Sequence, residues 1–259
     1  MGDREFVALG TASQVPTRHR NHNGYFLRWD GEGILFDPGE GTQRQLIHAG
    51  ISAPRITRIC VTHFHGDHCL GLAGIVQRLS LDRVPHPVHV HYPASGQRYF
   101  DRLRRASIFK DVATIVPHPI REPGVIAQGP DWTLSAEALD HTVPCFGFRL
   151  EEAPKRNFEP AKLAALGLKG PIVGELRRTG RVALEDGRQI TLAEVSSERP
   201  GQVFAFVMDT RRCDGAVRLA QGADLLVCES TYLQSEATEA WERGHMTAAD
   251  AAQVAQAAG

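Results

Sequence analysis

The segment Thr62-His63-Phe64-His65-Gly66-Asp67-His68 puts three imidazoles and a carboxylate within six residues, from His63 to His68. An apolar run at 58–62 reads as a buried strand that leads straight into it, so the cluster stands at a strand end, where the backbone holds side chains in place. Residues two apart in an extended chain face the same way, so His63 and His65 can grip one ion. Gly66 permits a tight turn that aims Asp67 and His68 at a neighbouring site. Two metal sites from one loop follow. Neutral imidazole and carboxylate without thiolate suit zinc or another borderline divalent ion, and a catalytic site of this kind keeps a position open for water. The bland alternative is a surface histidine cluster.

Such side chains need a rigid support, and the flanking sequence supplies one. Residues 5–9, 24–29 and 33–36 are short runs rich in aromatic or branched residues, bounded by Gly, Asn, Asp or Pro, and read as a β-meander. Residues 41–49 have helical character, with Leu46 and Ile47 on one side. Beyond the histidine cluster the pattern predicts a helix at 70–81, a strand at 88–92 and a basic helix at 95–107, then strands at 112–116, 132–139 and 146–150. A strand at 203–208, a helix near 212–221 and a second buried strand at 224–228 complete a mixed α/β order. Thr247 with Asp250 three residues on forms a capping-box start for an alanine-rich final helix.

Between these core-like stretches, residues 153–197 change character. Pro154, Pro160, Gly167, Gly170, Pro171, Gly174, Gly180 and Gly187 punctuate a segment with little apolar content, which reads as an inserted arm in an otherwise single domain spanning 1–259. From Pro154 to Ile190 it carries eight basic residues (Lys155, Arg156, Lys162, Lys169, Arg177, Arg178, Arg181, Arg188) against four acidic ones (Glu159, Glu175, Glu185, Asp186), a local charge of about +4.

The whole chain of 259 residues is nearly neutral: 29 basic against 30 acidic residues leave a formal −1, so its overall field does not attract nucleic acid or anionic membrane. Any polyanion must be caught locally. With 42% hydrophobic residues a substantial core is available, which excludes a disordered or fibrous chain. No apolar run suits a membrane helix, and Asp3 and Glu5 argue against a signal peptide. Cys60, Cys69, Cys145, Cys213 and Cys228 are odd in number and include no C-x-x-C pair, which argues against a disulfide framework or a thiolate zinc knuckle and fits a reducing cytoplasm.

The H-x-H-x-D-H pattern after a strand resembles the signature of the metallo-β-lactamase fold, which implies an α/β protein built as a four-layer αββα sandwich. Further stretches resemble the ribonuclease Z family, the endonucleases that trim the 3′ end of precursor tRNA: residues 16–21 (Pro-Thr-Arg-His-Arg-Asn), 36–43 (Phe-Asp-Pro-Gly-Glu-Gly-Thr-Gln) and 244–247 (Gly-His-Met-Thr). By that resemblance His141 completes the first zinc site with His63 and His65, Asp209 bridges both ions, and Asp67 and His68 hold the second. His245 then stands beside the scissile phosphate. Manganese is an alternative to zinc. The bland readings are a core histidine for His141 and a helix N-cap for Asp209.

The family's second site normally takes a last histidine from a Thr-His-x-Ser-like motif after the final helix, and no such residue follows here before Gly259. The C-terminus thus reads as incomplete, or else Asp67, His68 and Asp209 hold the second ion with extra water. The resemblance further implies that Asp67 accepts the proton of the attacking water and that His245 protonates the departing ribose 3′ oxygen, leaving a 3′-hydroxyl on the tRNA. Glu229 orients His245, caps Ser230-Thr231 or pairs with an arginine on the surface. Arg18, Arg20 and Asn21 would sense nucleotides beyond the cut. The arm, through its Gly170-Pro171 element and Arg177, Arg178 and Arg181, would grip the tRNA elbow. A cytoplasmic homodimer is expected, acting on precursor tRNA and not on DNA or membrane. The rival readings are a general phosphodiesterase of the same fold and a non-catalytic RNA-binding fragment.

Overall fold

The computed structural model describes residues 4–184 and 186–259, so Asp3 and Glu185, both used above, lie outside the described residues. The chain forms two compact units. One takes the chain up to Gln128 together with Leu134–Leu150 and Val203–Gly259; the other takes Gly129–Thr133 and Glu151–Gln202.

The first unit opens with the expected meander, β1 (Arg4–Gly10), β2 (Gly24–Trp29) and β3 (Glu32–Phe36), paired antiparallel. β4 (Arg58–Cys60), β5 (Val88–Pro93) and β6 (Ile115–Ile120) then add in parallel. Parallel neighbours need a crossover, and the helices α1 (Thr42–His48), the short α2 (Gly66–Cys69), α3 (Leu72–Leu81) and α4 (Gln97–Arg104) supply it. Their apolar stripes, including Leu46, Leu72, Ile75, Leu79 and Phe100, pack with Phe26, Leu35, Ile59, Val90 and Tyr92 of the strands in one core. The sheet order is β1-β2-β3-β4-β5-β6.

A second sheet has the order β15-β14-β9-β8-β7, with β7 (Gly124–Gln128), β8 (Trp132–Leu139), β9 (Cys145–Glu152), β14 (Val203–Val207) and β15 (Leu225–Cys228). Within the first unit the two sheets meet through aromatic rings: Phe36 stacks on Phe206 at 4.6 Å and lies 5.9 Å from Phe148, and Phe6 lies 5.8 Å from Phe204. The outer face of the second sheet is covered by α7 (Asp214–Ala220) and α9 (Ala248–Ala258), whose Ala216, Leu219 and Val254 share a core with Val207. Helices, sheet, sheet and helices make the four-layer αββα sandwich of the metallo-β-lactamase fold. A shorter helix, α8 (Ala237–Arg243), precedes α9, which starts at the expected capping box of Thr247 and Asp250. Among the described residues no helix is long and apolar enough to cross a membrane.

Local departures from the sequence reading have physical causes. Ile47 is 61% exposed while its neighbour Leu46 is buried, because consecutive residues on a helix point about 100° apart. The strand expected at 112–116 begins only at Ile115, since the amides of Val112 and Ala113 donate to Ser80 Oγ and leave the ladder. The basic helix is α4, eight residues long, entered through a 3₁₀ turn at Ala94–Gly96. β7 and α8 carry no strong periodicity in the sequence.

The second unit has structure of its own. β10 (Lys155–Phe158) pairs with β13 (Ser196–Arg199), and β11 (Arg181–Ala183) with β12 (Gln189–Thr191). α5 (Pro160–Ala165) and α6 (Pro171–Thr179) close a small core of Leu168, Leu176, Val182, Ile190 and Val195. Gly170, at φ 61°, turns the chain into α6, and Pro171 occupies its first turn, where a missing N–H costs nothing. Four of the eight basic side chains are paired within the unit: Lys155 with Glu152 and Asp131, Arg156 with Glu198, Lys162 with Glu159 and Arg188 with Asp186. Lys169, Arg177, Arg178 and Arg181 make no ion pair among the described residues, so the surplus charge of the arm resides in them. Arg177 also lies over the Phe158 ring at 5.1 Å.

Candidate metal centre and active site

Five strand ends of the first unit supply the site. His63 follows β4, Asp37 follows β3, His141 follows β8, Asp209 follows β14 and Glu229 follows β15, each within three residues of the strand. Carboxyl ends of strands leave loop side chains converging on open space while the sheets fix their roots.

His63, His65, His141 and Asp209 bring one ligand atom each to a common point. His65 Nδ1 stands 3.0 Å from His63 Nε2 and 3.2 Å from His141 Nε2, and Asp209 Oδ2 is 3.6 Å and 3.9 Å from the same two Nε2 atoms. Donors bound tetrahedrally to zinc at its usual Zn–N distance lie roughly 3.4 Å apart, and the observed separations bracket that value. On the other side of Asp209, His68 Nε2 is 3.1 Å from Asp209 Oδ2 and 3.4 Å from Asp67 Oδ2. Asp209 thus stands between the two groups.

Hydrogen bonds behind the ligands set which nitrogen faces inward. His63 Nδ1 donates to Thr62 Oγ1 at 3.0 Å, and that hydroxyl donates to Asp37 Oδ2 at 2.8 Å. His68 Nδ1 donates to Asp37 Oδ2 at 2.9 Å, and His141 Nδ1 donates to the Gly244 carbonyl at 2.8 Å. For His63 and His141 the outer partner leaves the Nε2 lone pair directed at the centre, and for His68 it turns Nε2 toward Asp67 and Asp209, where a bound cation would displace its proton. His65 Nδ1 could give a hydrogen to only one of the two Nε2 atoms it faces. A cation resolves that conflict, and the donor set fits a divalent ion. Gly244 matters here, since its φ is 76° and a Cβ on it would lie 2.9 Å from His141 Nδ1.

The electrostatics point the same way. Burial pushes the pKa of His63, His65 and His141 down, so all three are neutral ligands at neutral pH. Burial also opposes charge on His68, but Asp209 and Asp37 outweigh it and raise its pKa well above the usual imidazole range. Burial pushes the Asp67 and Asp209 carboxyls up, yet His68 more than offsets this in both, and they stay ionised. Asp37 and Asp209 adopt φ of 43° and 44°, a left-handed conformation that costs a non-glycine residue about 1–3 kcal/mol.

His245 lies in the turn between α8 and α9, its ring 5.1 Å from that of His141. Its Nδ1 is 3.0 Å from Glu229 Oε1. Burial lowers the His245 pKa, but the hydrogen bond and field of Glu229 prevail and raise it. Glu229 does two of the three things the sequence allowed: besides binding His245 it accepts from the Thr231 hydroxyl at 2.6 Å, and it also accepts from the Thr210 amide at 2.7 Å. A cleft of about 570 Å³ opens here, with Asn23, Tyr25, Asp209, Glu229, Thr17 and Arg20 among its walls.

The expected metal residues His63, His65, Asp67, His68, His141 and Asp209 therefore come together, with His245 beside them. Arg20 reaches the cleft, whereas Arg18 lines an adjoining cavity. The Asn21 amide donates to the Glu40 carbonyl at 2.7 Å, which ties down the loop. Gly170, Pro171, Arg177, Arg178 and Arg181 all belong to the second unit. Sequence reasoning missed Asp37, Thr62 and Asn23 as site residues. The Asn23 amide nitrogen lies 3.1 Å from His68 Nε2, fixed by the Tyr25 hydroxyl, which donates to its oxygen. A polar residue directly after an apolar strand was the available signal for Asp37, the same one that marks His63.

The chain is similar to known proteins along nearly its whole length. The sequence model of the metallo-β-lactamase superfamily matches residues 17–147. Ribonuclease Z of Nocardia farcinica is 60% identical over 257 residues, covering 98% of this chain and 84% of that protein. Ribonuclease Z of Chlamydia trachomatis is 48% identical over 258 residues, covering 100% and 84%. Among solved structures, the short form of human tRNase Z superposes with a TM-score of 0.72 at 26% identity, over 98% of this chain and 88% of that one. With a two-group cluster of histidines and carboxylates at the strand ends and relatives this similar over nearly its whole length, the chain belongs to the ribonuclease Z family of the metallo-β-lactamase superfamily.

Proposed function

We propose that this protein is a zinc-dependent endoribonuclease that removes the 3′ trailer from precursor tRNA. The observation that carries the reading is the convergence of His63, His65, His141, Asp209, Asp67 and His68 beside the His245–Glu229 pair, in a chain 60% identical to a ribonuclease Z. Two zinc ions held there, the first by His63, His65, His141 and Asp209 and the second by Asp67, His68 and Asp209, would polarise the scissile phosphodiester and make water a nucleophile at neutral pH.

The protein's own groups do the rest. Asp67, ionised, close to His68 and lining an opening with His65, accepts the proton of the attacking water. His245, whose acid form Glu229 favours, donates to the ribose 3′ oxygen as its bond to phosphorus breaks. The tRNA keeps a 3′-hydroxyl and the trailer keeps the phosphate. Asp37 and Thr62 hold the imidazoles in the productive tautomer. Arg18 and Arg20 contact nucleotides past the cut. In the arm, the Gly170–Pro171 turn and Arg177, Arg178 and Arg181 contact the tRNA elbow, reading the backbone shape of folded RNA. A homodimer, in which one subunit's arm holds the tRNA cut by its partner, completes the reading; light scattering that finds only monomer removes that detail.

Elemental analysis of the zinc-loaded protein, run beside cleavage of a precursor tRNA with the new 3′ end mapped, tests the proposal. Two ions per chain and a single cut at the trailer boundary are expected. Hydrolysis of small phosphodiesters alone, or RNA binding with no cleavage, rejects it.

A further inference from the structure

Beside the catalytic cleft lies a second cavity of about 530 Å³, bounded by the 16–21 loop on one side and α1 on the other. Its polar walls are Arg18, His19, Arg20, Arg44, Gln45 and His48, and its lining contains neither Asp nor Glu. None of the three guanidinium groups makes an ion pair among the described residues, and all three are exposed. Cations gathered round one cavity without a counter-charge give it a positive potential that favours an anion.

The cavity is also built. Arg44 and His48, four apart on α1, share one face, while Leu46 anchors the helix in the core. Opposite them the loop is folded by the Thr17 amide donating to the Arg20 carbonyl at 2.8 Å and the His19 amide donating to Thr17 Oγ1 at 3.3 Å. The Asn21 amide fastens the loop to Glu40 at the start of α1, so the two walls are fixed relative to each other. Finally, Ala8, Thr11, Thr17 and Arg20 line both this cavity and the cleft that holds Asp209 and Glu229. A chain lying across the metal cluster runs on into it.

We infer that Arg44 and His48, with Arg18 and Arg20, form a subsite for backbone phosphates of single-stranded RNA next to the scissile bond. The guanidinium fork suits a phosphate's oxygens, and three such forks line this one cavity. Nothing in the sequence patterning marks Arg44 or His48, which lie outside the loop that the family resemblance singles out. The inference deepens the proposed function and rests on it for the identity of the RNA.

The test is a fluorescence titration of the zinc-loaded protein with a labelled, phosphorothioate-linked single-stranded oligoribonucleotide at several salt concentrations. Arg44→Ala is expected to weaken binding about tenfold, as for loss of one charge-assisted contact, and to flatten the plot of log K against log salt by about 0.7. Arg44→Lys should restore the slope. His48→Ala should weaken binding less. Hydrolysis of bis(p-nitrophenyl) phosphate, which needs only the metal cluster, should be unchanged in all three. With precursor tRNA, a rise in KM that disappears when the trailer is cut to one nucleotide assigns the subsite to the trailer; a rise that persists assigns it to the tRNA end, and both support the subsite. Unchanged affinity and salt slope in Arg44→Ala, or an equal loss on the small ester, overturns it. If the unmodified protein fails to process precursor tRNA, the proposed function falls, and the oligonucleotide titration still decides the subsite.

Discussion

Replacing Asp37 by Asn changes one atom of a fully buried side chain and should nevertheless weaken the proposed second metal position. The carboxylate accepts three hydrogen bonds: from the Thr62 amide at 2.7 Å, the Thr62 hydroxyl at 2.8 Å and His68 Nδ1 at 2.9 Å. An amide has one acceptor and one donor end. With its NH2 toward His68, Nδ1 must become the acceptor, and the ring's one remaining hydrogen is held on Nε2, where a bound ion needs a lone pair. With its NH2 toward the Thr62 amide, two buried donors face each other. Outer partners of metal-binding histidines typically control affinity by 10–100-fold, about 1.4–2.8 kcal/mol. The charge-assisted hydrogen bond to His68 contributes a further 1.5–3 kcal/mol or so to the metal-free fold. Competition with a fluorescent chelator, resolving the two binding steps, should show the weaker zinc step losing at least tenfold in Asp37→Asn, with kcat recovering as zinc is raised. Urea unfolding of the metal-free variant checks that it remains folded. Wild-type affinity at both steps in a folded variant would falsify the tautomer argument.

Other expectations follow from the same geometry. Because Glu229 raises the pKa of His245, the acid form of that histidine is lost only as pH rises through the raised value; in Glu229→Gln the value drops, and the alkaline limb of the pH–rate profile should move to lower pH, with the acid limb unmoved. Asp67→Ala should abolish turnover while leaving affinity for precursor tRNA largely intact, and equal loss of both in a binding assay removes its assignment as proton acceptor. Arg177→Ala, Arg178→Ala and Arg181→Ala combined should weaken precursor binding and reduce its salt slope by roughly one unit per lost phosphate contact, while sparing a small phosphodiester. Chelation should lower the melting temperature, since zinc at 100 times its Kd stabilises the folded state by about 2.7 kcal/mol, and added zinc should restore both melting temperature and activity.

The parts of the molecule that were legible beforehand are those with a strong local pattern. The run from Arg58 into His63 announced a strand end bearing ligands, and the meander, α3, β8 and the capping box of α9 all carry clear periodicity or cap chemistry. What the sequence hides is what depends on partners far along the chain. Asp37 is 31 residues from His68, and only the parallel pairing of β3 with β4 brings the ends of those strands together. The arm looked like a punctuated loop because its core draws on scattered residues, Leu168, Leu176, Val182, Ile190 and Val195, with no repeating period. Arg44 gave no sign because on a helix surface a basic residue is ordinarily just solvated.

The left-handed backbone at Asp37 and Asp209 has a consequence for how this protein can change. The strain is about as large as what the carboxylates' bonds to His68 return, so replacing either residue should cost activity without a net gain in heat tolerance. Variants intended for durability are better sought by improving surface helices such as α8 and leaving these two turns taut.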